Sequence, residues 1–377
     1  MNAPDWFWTA AAVLVYTYAG YPLLVALLAC LRPPFEARLL DDAELPPVTV
    51  VMAAHNEARR LRDKLRNLRA QDYPAALLHV LVVSDGSGDG SERALDGAPG
   101  VRTLAYAERR GKAHALNLAM AQAETDLVVF CDVRQELEPG AVRRLVSDLA
   151  DPSVGIAGGE LSHRPAESGA GRSIGLYWRY ERWIRRSESR LHSTVGASGA
   201  LYAMRRGDWT DLRAGTILDD FETPMQVARR GKRVLLDSRA RFWDDLHEDP
   251  ADEKRRKIRT LSGNFQSFAA MPWLFLPGAN PLWFQFLSHK VLRLAAPYAM
   301  AVCLVASLAA GGSLYRALAL LQLAFYAMAA AGRWWPASRA SRLVSFAHVF
   351  CDLNLAAVIA LFRFLRGRVD ARWEKTS

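Results

Sequence analysis

None of the four cysteines (Cys30, Cys131, Cys303 and Cys351) stands in a C-x-x-C pair. Three lie in apolar end segments and the fourth ends an apolar run. This argues against a disulfide framework and points to a reducing compartment for the working domain. The chain also lacks zinc-finger spacing, an aromatic-rich RNA-binding signature and a basic nucleic-acid tail. Its net charge of +9 is therefore read as a membrane face, because many arginines flank apolar stretches, and no nucleic-acid partner is expected. Lys, Arg, Asp and Glu are absent between Trp6 and Leu31.

That uncharged stretch exceeds the roughly 20 residues needed to cross a hydrocarbon core. It is too long, and too poor in preceding positive charge, for a cleaved signal peptide. Trp6, Phe7 and Trp8 open it as an interfacial aromatic cluster, and a kink is expected at Tyr21-Pro22. The C-terminal part turns apolar again. Asn280 to Pro297 reads as an interfacial segment. Leu294 to Gly311 and Leu314 to Gly332 read as spans, and Leu343 to Leu365 as a third, weakened by His348, Asp352, Asn354 and Arg363. The expected division is an N-terminal transmembrane helix and linker over 1–45, a soluble domain over 46–275, and an interfacial helix with two or three spans over 276–377.

Within the soluble part, strands and helices alternate. "VTVVMAAHNE" is a strand ending in polar residues, and the helix after it carries Leu61, Leu65 and Leu68 at helical spacing. "HVLVVSDGS" is a second strand, and "GSERALDG" opens as a helix with Ser91 as its cap. "VRTLAYAE", "KAHALNLAMAQA" and "DLVVFCD" follow as strand, helix and strand. This alternation predicts an α/β fold with a mostly parallel sheet covered by helices on both faces. Ligands of such sheets bind beyond the carboxyl ends of the strands, which here carry His55, Asn56 and Glu57, then Asp85, then Asp132.

Each cluster has a bland reading beside a chemical one. His55 could lay its ring on a base and Glu57 could accept from ribose hydroxyls, although a polar strand end is also an ordinary turn. Asp85 lies among glycines that permit close backbone approach, but such residues also make plain turns. Gly111 and Lys112 begin a helix, where amides and an ammonium suit phosphate. A P-loop is excluded, because no Gly stands four residues before a Gly-Lys-Ser/Thr.

Taken together, "HNE", "SDGS", "RGKAHALN" and "VVFCD", in this order and spacing, resemble family 2 glycosyltransferases. Those GT-A-fold (Rossmann-like) enzymes include membrane-bound cellulose, hyaluronan and chitin synthases. "GASGALYAMRR" resembles the acceptor-side segment of that family. "TILDDFETPMQVARRGKRV" resembles its catalytic-base helix, and the likeness covers about Val48 to Arg259. The resemblance implies inverting transfer from a nucleotide-sugar, a UDP-sugar in the first instance, with Mg²⁺ or Mn²⁺ at the leaving diphosphate. It implies Asp220 as general base with Asp219 beside it, although an acidic helix N-cap pair is the alternative. By the same resemblance, Glu57 and Asp85 hold nucleoside, Lys112 and Arg259 phosphate, and Asp132 the metal; His55 and Asp219 are further candidate substrate-binding residues.

Two departures stand out. Arg134 occupies the second position of the family's Asp-x-Asp, where a cation cannot ligate a cation. Asp132 then holds the metal with diphosphate and water while Arg134 contacts phosphate or packs outward, or else the site is non-catalytic. Thr260 stands where processive synthases place a tryptophan that stacks on the acceptor, with Trp273 or Trp283 as substitutes. The aromatic, arginine-rich segment Tyr177 to Arg190 suits either an acceptor groove or a cover that meets headgroups. The resulting expectation is a bacterial inner-membrane enzyme with a cytoplasmic catalytic domain, acting on a polysaccharide or lipid-linked saccharide, with export or polymerisation partners. The alternatives are single addition to a lipid carrier and a non-catalytic sugar-nucleotide-binding subunit of an export complex. Arg32 and Arg38 after the first span favour this orientation. A basic tail placed outside by a crossing last segment opposes it.

Overall fold

The computed structural model describes residues 2–163, 169–244 and 250–368; most of the basic tail lies outside them. The chain opens with α1 (Ala3–Val15), a π-helical stretch over Tyr16–Gly20, and α2 (Tyr21–Cys30). The irregularity expected at Tyr21-Pro22 is that π-stretch. Pro22 has no N–H to give the Tyr18 carbonyl four residues back, and the Tyr180 hydroxyl donates to it instead, at 2.7 Å.

The elements that follow are β1 (Val48–Ala54), α3 (Ala58–Arg69), β2 (Leu78–Asp85), β3 (Val101–Tyr106), α4 (Lys112–Gln122) and β4 (Leu127–Cys131). Next come β5 (Glu136–Leu137), α5 (Ala141–Asp148), β6 (Val154–His163), α6 (Gly169–Leu191), β7 (Leu201–Arg205), α7 (Asp219–Arg229), β8 (Arg233–Asp244) and α8 (Pro250–Ala270). The sheet order is β3-β2-β1-β4-β7-β6-β8-β5. The four strands read from sequence are parallel, whereas β7 pairs antiparallel with both β4 and β6. The fold is thus the expected GT-A-like α/β architecture with a mixed second half. One expectation fails. Residues 91–97 form turns rather than a helix, and the Ser91 hydroxyl accepts from the Glu57 amide at 2.8 Å instead of capping.

Strand alternation divides the core. Val50, Met52, Val80 and Val82 pack with Leu61, Leu65 and Leu68 of α3 and Leu145 of α5. Val51, Leu81, Val83 and Phe130 face the other way, onto Ala115, Leu116 and Ala119 of α4 and Phe221 and Met225 of α7. This second core continues into Phe268 of α8 and beyond, to Phe286 and Leu294.

Those last two residues belong to the apolar C-terminal part. It runs as α9 (Trp283–Gln285), a second π-helical stretch (Phe286–Val291), α10 (Leu292–Ala310), α11 (Gly312–Trp334) and α12 (Arg342–Leu365). Four helical segments are long and apolar enough to cross a membrane: Ala3–Cys30, Trp283–Ala310, Gly312–Trp334 and Arg342–Leu365. The segment expected to be interfacial is therefore the start of a continuous 28-residue helix. The second half of α12 rests on α8, where the Phe265 and Phe364 rings stack at 6.2 Å.

The close approach of α8 to the loop before α7 depends on Gly263. A Cβ there would lie 2.7 Å from Leu218 and 2.9 Å from Ile217. Gly263→Val should cost about 1–3 kcal/mol by overpacking. Gly278→Ala, at a position with nothing within 4 Å, should leave stability unchanged. Thermal unfolding in detergent distinguishes the two. Equal stability of both variants would contradict this packing.

Candidate functional site

The carboxyl ends of β1 and β2 are tied to each other before any ligand enters. The His55 ring Nδ1 lies 2.6 Å from the Asp85 carbonyl oxygen, and the Asn56 amide donates to the Ser87 hydroxyl at 3.1 Å. The Glu57 carboxylate pairs with Arg60 at 3.2 Å, one turn along α3. Asp85 is fully buried, and its carboxylate accepts from the backbone amides of Arg110, at 2.6 Å, and Gly111, at 2.9 Å. Its observed contacts thus organise the loop that starts α4. Gly86 makes this possible, because at φ +58 a Cβ would meet the Arg109 amide at 2.6 Å.

That loop aims Lys112. Its ammonium bridges Asp132, at 3.2 Å, and Asp219, at 3.3 Å, so the ends of β4 and the start of α7 meet across one cation. Burial alone would lower the Lys112 ammonium, but the carboxylates of Asp132, Asp219 and Asp220 outweigh it and hold it above its ordinary value. Burial pushes the Asp219 carboxyl up to about 6, with Asp220 and Asp132 adding to burial and Lys112 opposing it. Beneath the cluster, Tyr202 stacks on Phe130 at 4.6 Å, and burial beside these carboxylates drives its phenol well up.

Asp219 and Asp220 are not helix caps. Leu218 holds the N-cap position of α7, with no side-chain cap bond. Asp220 instead accepts from the Gly199 amide at 3.2 Å, and a Cβ on Gly199 would lie 3.0 Å from that carboxylate oxygen. Sequence reasoning noticed the segment around Gly199 but not its part in seating Asp220. It also missed Glu222, which is buried one turn along α7. Its carboxylate accepts from Arg213 with both oxygens at 3.0 Å and from the Ser267 hydroxyl at 2.8 Å, fastening α7 to α8. Arg259 sits on α8 one helical turn before Gly263, the residue against Leu218. The guanidinium of Arg109, whose Nε and Nη2 are buried without a hydrogen bond, was missed as well.

Arg134 turns away from the cluster and pairs with Asp244 at the end of β8, at 2.7 Å, where Gln135 also donates. Asp132 is left as a half-exposed hard oxygen donor. Among the described residues no group of three or more His, Cys, Asp or Glu side chains could hold a metal alone. This donor set fits Mg²⁺ or Mn²⁺ whose remaining ligands come from diphosphate and water, since Mg²⁺ keeps waters and takes only one or two carboxylates. Of the two substitute tryptophans, Trp273 is covered on its face and Trp283 is held at its ring edge. Arg229 covers the Trp273 ring at 4.6 Å, and Trp283 donates to the Phe275 carbonyl.

Residues 49–210 match the family described as Glycosyl transferase family 2. An N-acetylglucosaminyltransferase of Bradyrhizobium elkanii is 33% identical over 168 residues, which is 41% of this chain and 91% of that protein. The chain belongs to glycosyltransferase family 2. An N-acetylglucosaminyltransferase of Mesorhizobium japonicum is 31% identical over 199 residues, covering 51% of this chain and 46% of the relative. The poly-beta-1,6-N-acetyl-D-glucosamine synthase of Staphylococcus aureus is 23% identical over 231 residues, covering 59% and 56%. The chain thus spans about half the length of these last two relatives. A solved structure of the mannosyltransferase PcManGT from Pyrobaculum calidifontis, in complex with GDP-Man and Mn²⁺, is similar with a TM-score of 0.72 and 26% identity. That similarity covers 96% of this chain and 99% of the other.

The raised Asp219 carboxyl has a sign that can be checked. Its folded-state value exceeds the unfolded one, so its protonated form favours the fold. That contribution is full below about 3.8 and is lost as pH rises through about 6. The difference in melting temperature between wild type and Asp219→Asn should therefore change across that window, with wild type losing ground as pH rises. A difference independent of pH would contradict the placement of Asp219 beside two other carboxylates.

Proposed function

We propose that this protein is a membrane-bound, inverting glycosyltransferase that moves a sugar from a UDP-sugar to a polysaccharide or lipid-linked saccharide. The observation that carries the reading is the meeting of Asp132, Asp219 and Asp220 around Lys112 at the carboxyl ends of the parallel strands. Inversion needs one base on the acceptor side and one stabilised leaving group on the donor side. Asp220 takes the first role. It stands outside the Lys112 bridge, half-buried, with its orientation set by the Gly199 amide, and accepts the proton of the attacking hydroxyl. Lys112 and Arg259 take the diphosphate, and Asp219 holds Lys112 on the opposite side from Asp132.

The nucleoside end falls to His55, Glu57 and Asp85, with Asp85 acting through the loop that it binds. Asp132 would hold Mg²⁺ or Mn²⁺, which supplies charge neutralisation at the leaving diphosphate when it enters with the donor. Pairing of Arg134 with Asp244 supports the catalytic reading over that of a nucleotide-binding subunit. The names of the rhizobial and staphylococcal relatives make an N-acetylglucosamine donor the first candidate. The four apolar helices and Arg32 and Arg38 after the first support a bacterial inner membrane with the domain cytoplasmic. Single addition is the second reading, favoured by the exposed, ringless Thr260 and the covered Trp273.

The test incubates purified full-length protein with Mg²⁺ or Mn²⁺ and a panel of labelled nucleotide sugars, followed by sizing of the product. Wild type should release nucleoside diphosphate with one donor. Asp220→Asn should lower kcat by about 10²–10⁴-fold while leaving donor affinity within about threefold. An active Asp220→Asn, or a wild type that is silent with every donor, would sink the reading.

A further inference from the structure

The junction between the apolar helices and the catalytic domain carries more positive charge than its carboxylates can match. Glu181 of α6 is committed to His289, at 2.9 Å, and to Arg293, at 2.5 Å. Glu188, one face further along α6, takes the other His289 nitrogen at 2.7 Å and the Tyr21 hydroxyl. Two cations are left over. Arg185 lies between these two glutamates on α6, and Lys290 follows His289; both are half-buried, and neither makes a hydrogen bond or ion pair with the described residues. They are nonetheless within electrostatic reach of each other. Two half-buried like charges within reach of each other repel; Glu181, Asp220 and Glu188 act on Lys290 electrostatically, but each is bonded to other groups and none forms an ion pair with either cation.

The backbone places this pair deliberately. Lys290 belongs to the π-helical stretch Phe286–Val291, which meets the other π-stretch, Tyr16–Gly20, through a 2.8 Å hydrogen bond between the Tyr16 and Ser288 hydroxyls. A π-turn widens the helix and re-aims its side chains, and such turns recur at functional sites. Here the Lys290 ammonium is turned toward the catalytic domain. It lies 5.8 Å from the centre of the Phe221 ring, and Asp220, next to Phe221 in sequence, is among the carboxylates it feels. Lys290 thus stands where the apolar helix Trp283–Ala310 meets the helix that carries the proposed base.

We propose that Arg185 and Lys290 form an anion site for the phosphate of a lipid-linked acceptor, which enters with its chain in the bilayer and its saccharide at Asp220. This rests on the lipid-linked acceptor reading above. A guanidinium gives the phosphate a planar fork and the ammonium a point charge, both strengthened by partial burial. The donor diphosphate is served separately, by Lys112 on the far side of Asp219.

The test reads binding, not transfer. Full-length protein in phosphatidylcholine nanodiscs is titrated with decaprenyl phosphate and with decaprenol, its phosphate-free counterpart. Wild type should prefer the phosphate by at least about tenfold, equivalent to about 1.4 kcal/mol. Arg185→Gln with Lys290→Gln should reduce the preference to less than about twofold, and Arg185→Lys with Lys290→Arg should keep most of it, which separates lost charge from lost fold. UDP should not compete. Equal binding of the two lipids by wild type, or full preference in the glutamine variant, would overturn the site. So would loss of the preference in phosphatidylglycerol nanodiscs, which would make the cations a general headgroup contact, or competition by UDP, which would make them part of the donor site. A wild type that prefers the phosphate but transfers no sugar refutes the activity and leaves the site standing.

Discussion

One ammonium allows three carboxylates to share a crevice. Without Lys112, the Asp132, Asp219 and Asp220 side chains would repel one another in partial burial, and the start of α7 would be driven away from the end of β4. With it, two of them contact the same cation and the third, Asp220, is seated on the Gly199 amide. The rest of the molecule serves that contact. Asp85 folds the loop that carries Lys112, Gly199 lets Asp220 close on the backbone, and Glu222 ties α7 to α8.

The catalytic domain is not hung from the apolar helices by a tether. The core beneath α4 and α7 runs without a break through Phe268 of α8 to Phe286 and Leu294 of the membrane-facing helices. The helix that carries Asp220 therefore shares one packed core with the apolar helices.

Much of this was legible in the sequence because the signals were local. The apolar runs ending in His55, Asp85 and Asp132 marked strands whose ends carry polar chemistry, and the order of motifs pointed to the family and to Lys112 and Asp220. What was not legible depended on contacts between distant segments. Arg134 could contact phosphate, pack outward or mark a non-catalytic site as far as the sequence goes, and its partner Asp244, 110 residues away, depends on the fold. Ser91 looked like a helix cap, but its hydroxyl is used by the Glu57 amide across the loop. Composition split one helix into an interfacial piece and a span, because Lys290 and Arg293 look like surface charges unless Glu181 is known to await Arg293. Asp85 was read as a direct ligand, and its burial under two amides belongs to the tertiary fold alone.

The consequence of the Lys112 contact for the metal is specific. Under the proposed function, one carboxylate already shared with an ammonium is too poor a site to hold a divalent ion by itself, so the ion would enter with the diphosphate. Electron paramagnetic resonance of Mn²⁺ titrated into the full-length protein, with and without UDP, measures this directly. The account predicts weak binding alone, at least about tenfold tighter binding with UDP, and loss of that gain in Asp132→Asn. Tight Mn²⁺ binding without nucleotide, or a gain that survives Asp132→Asn, would contradict it.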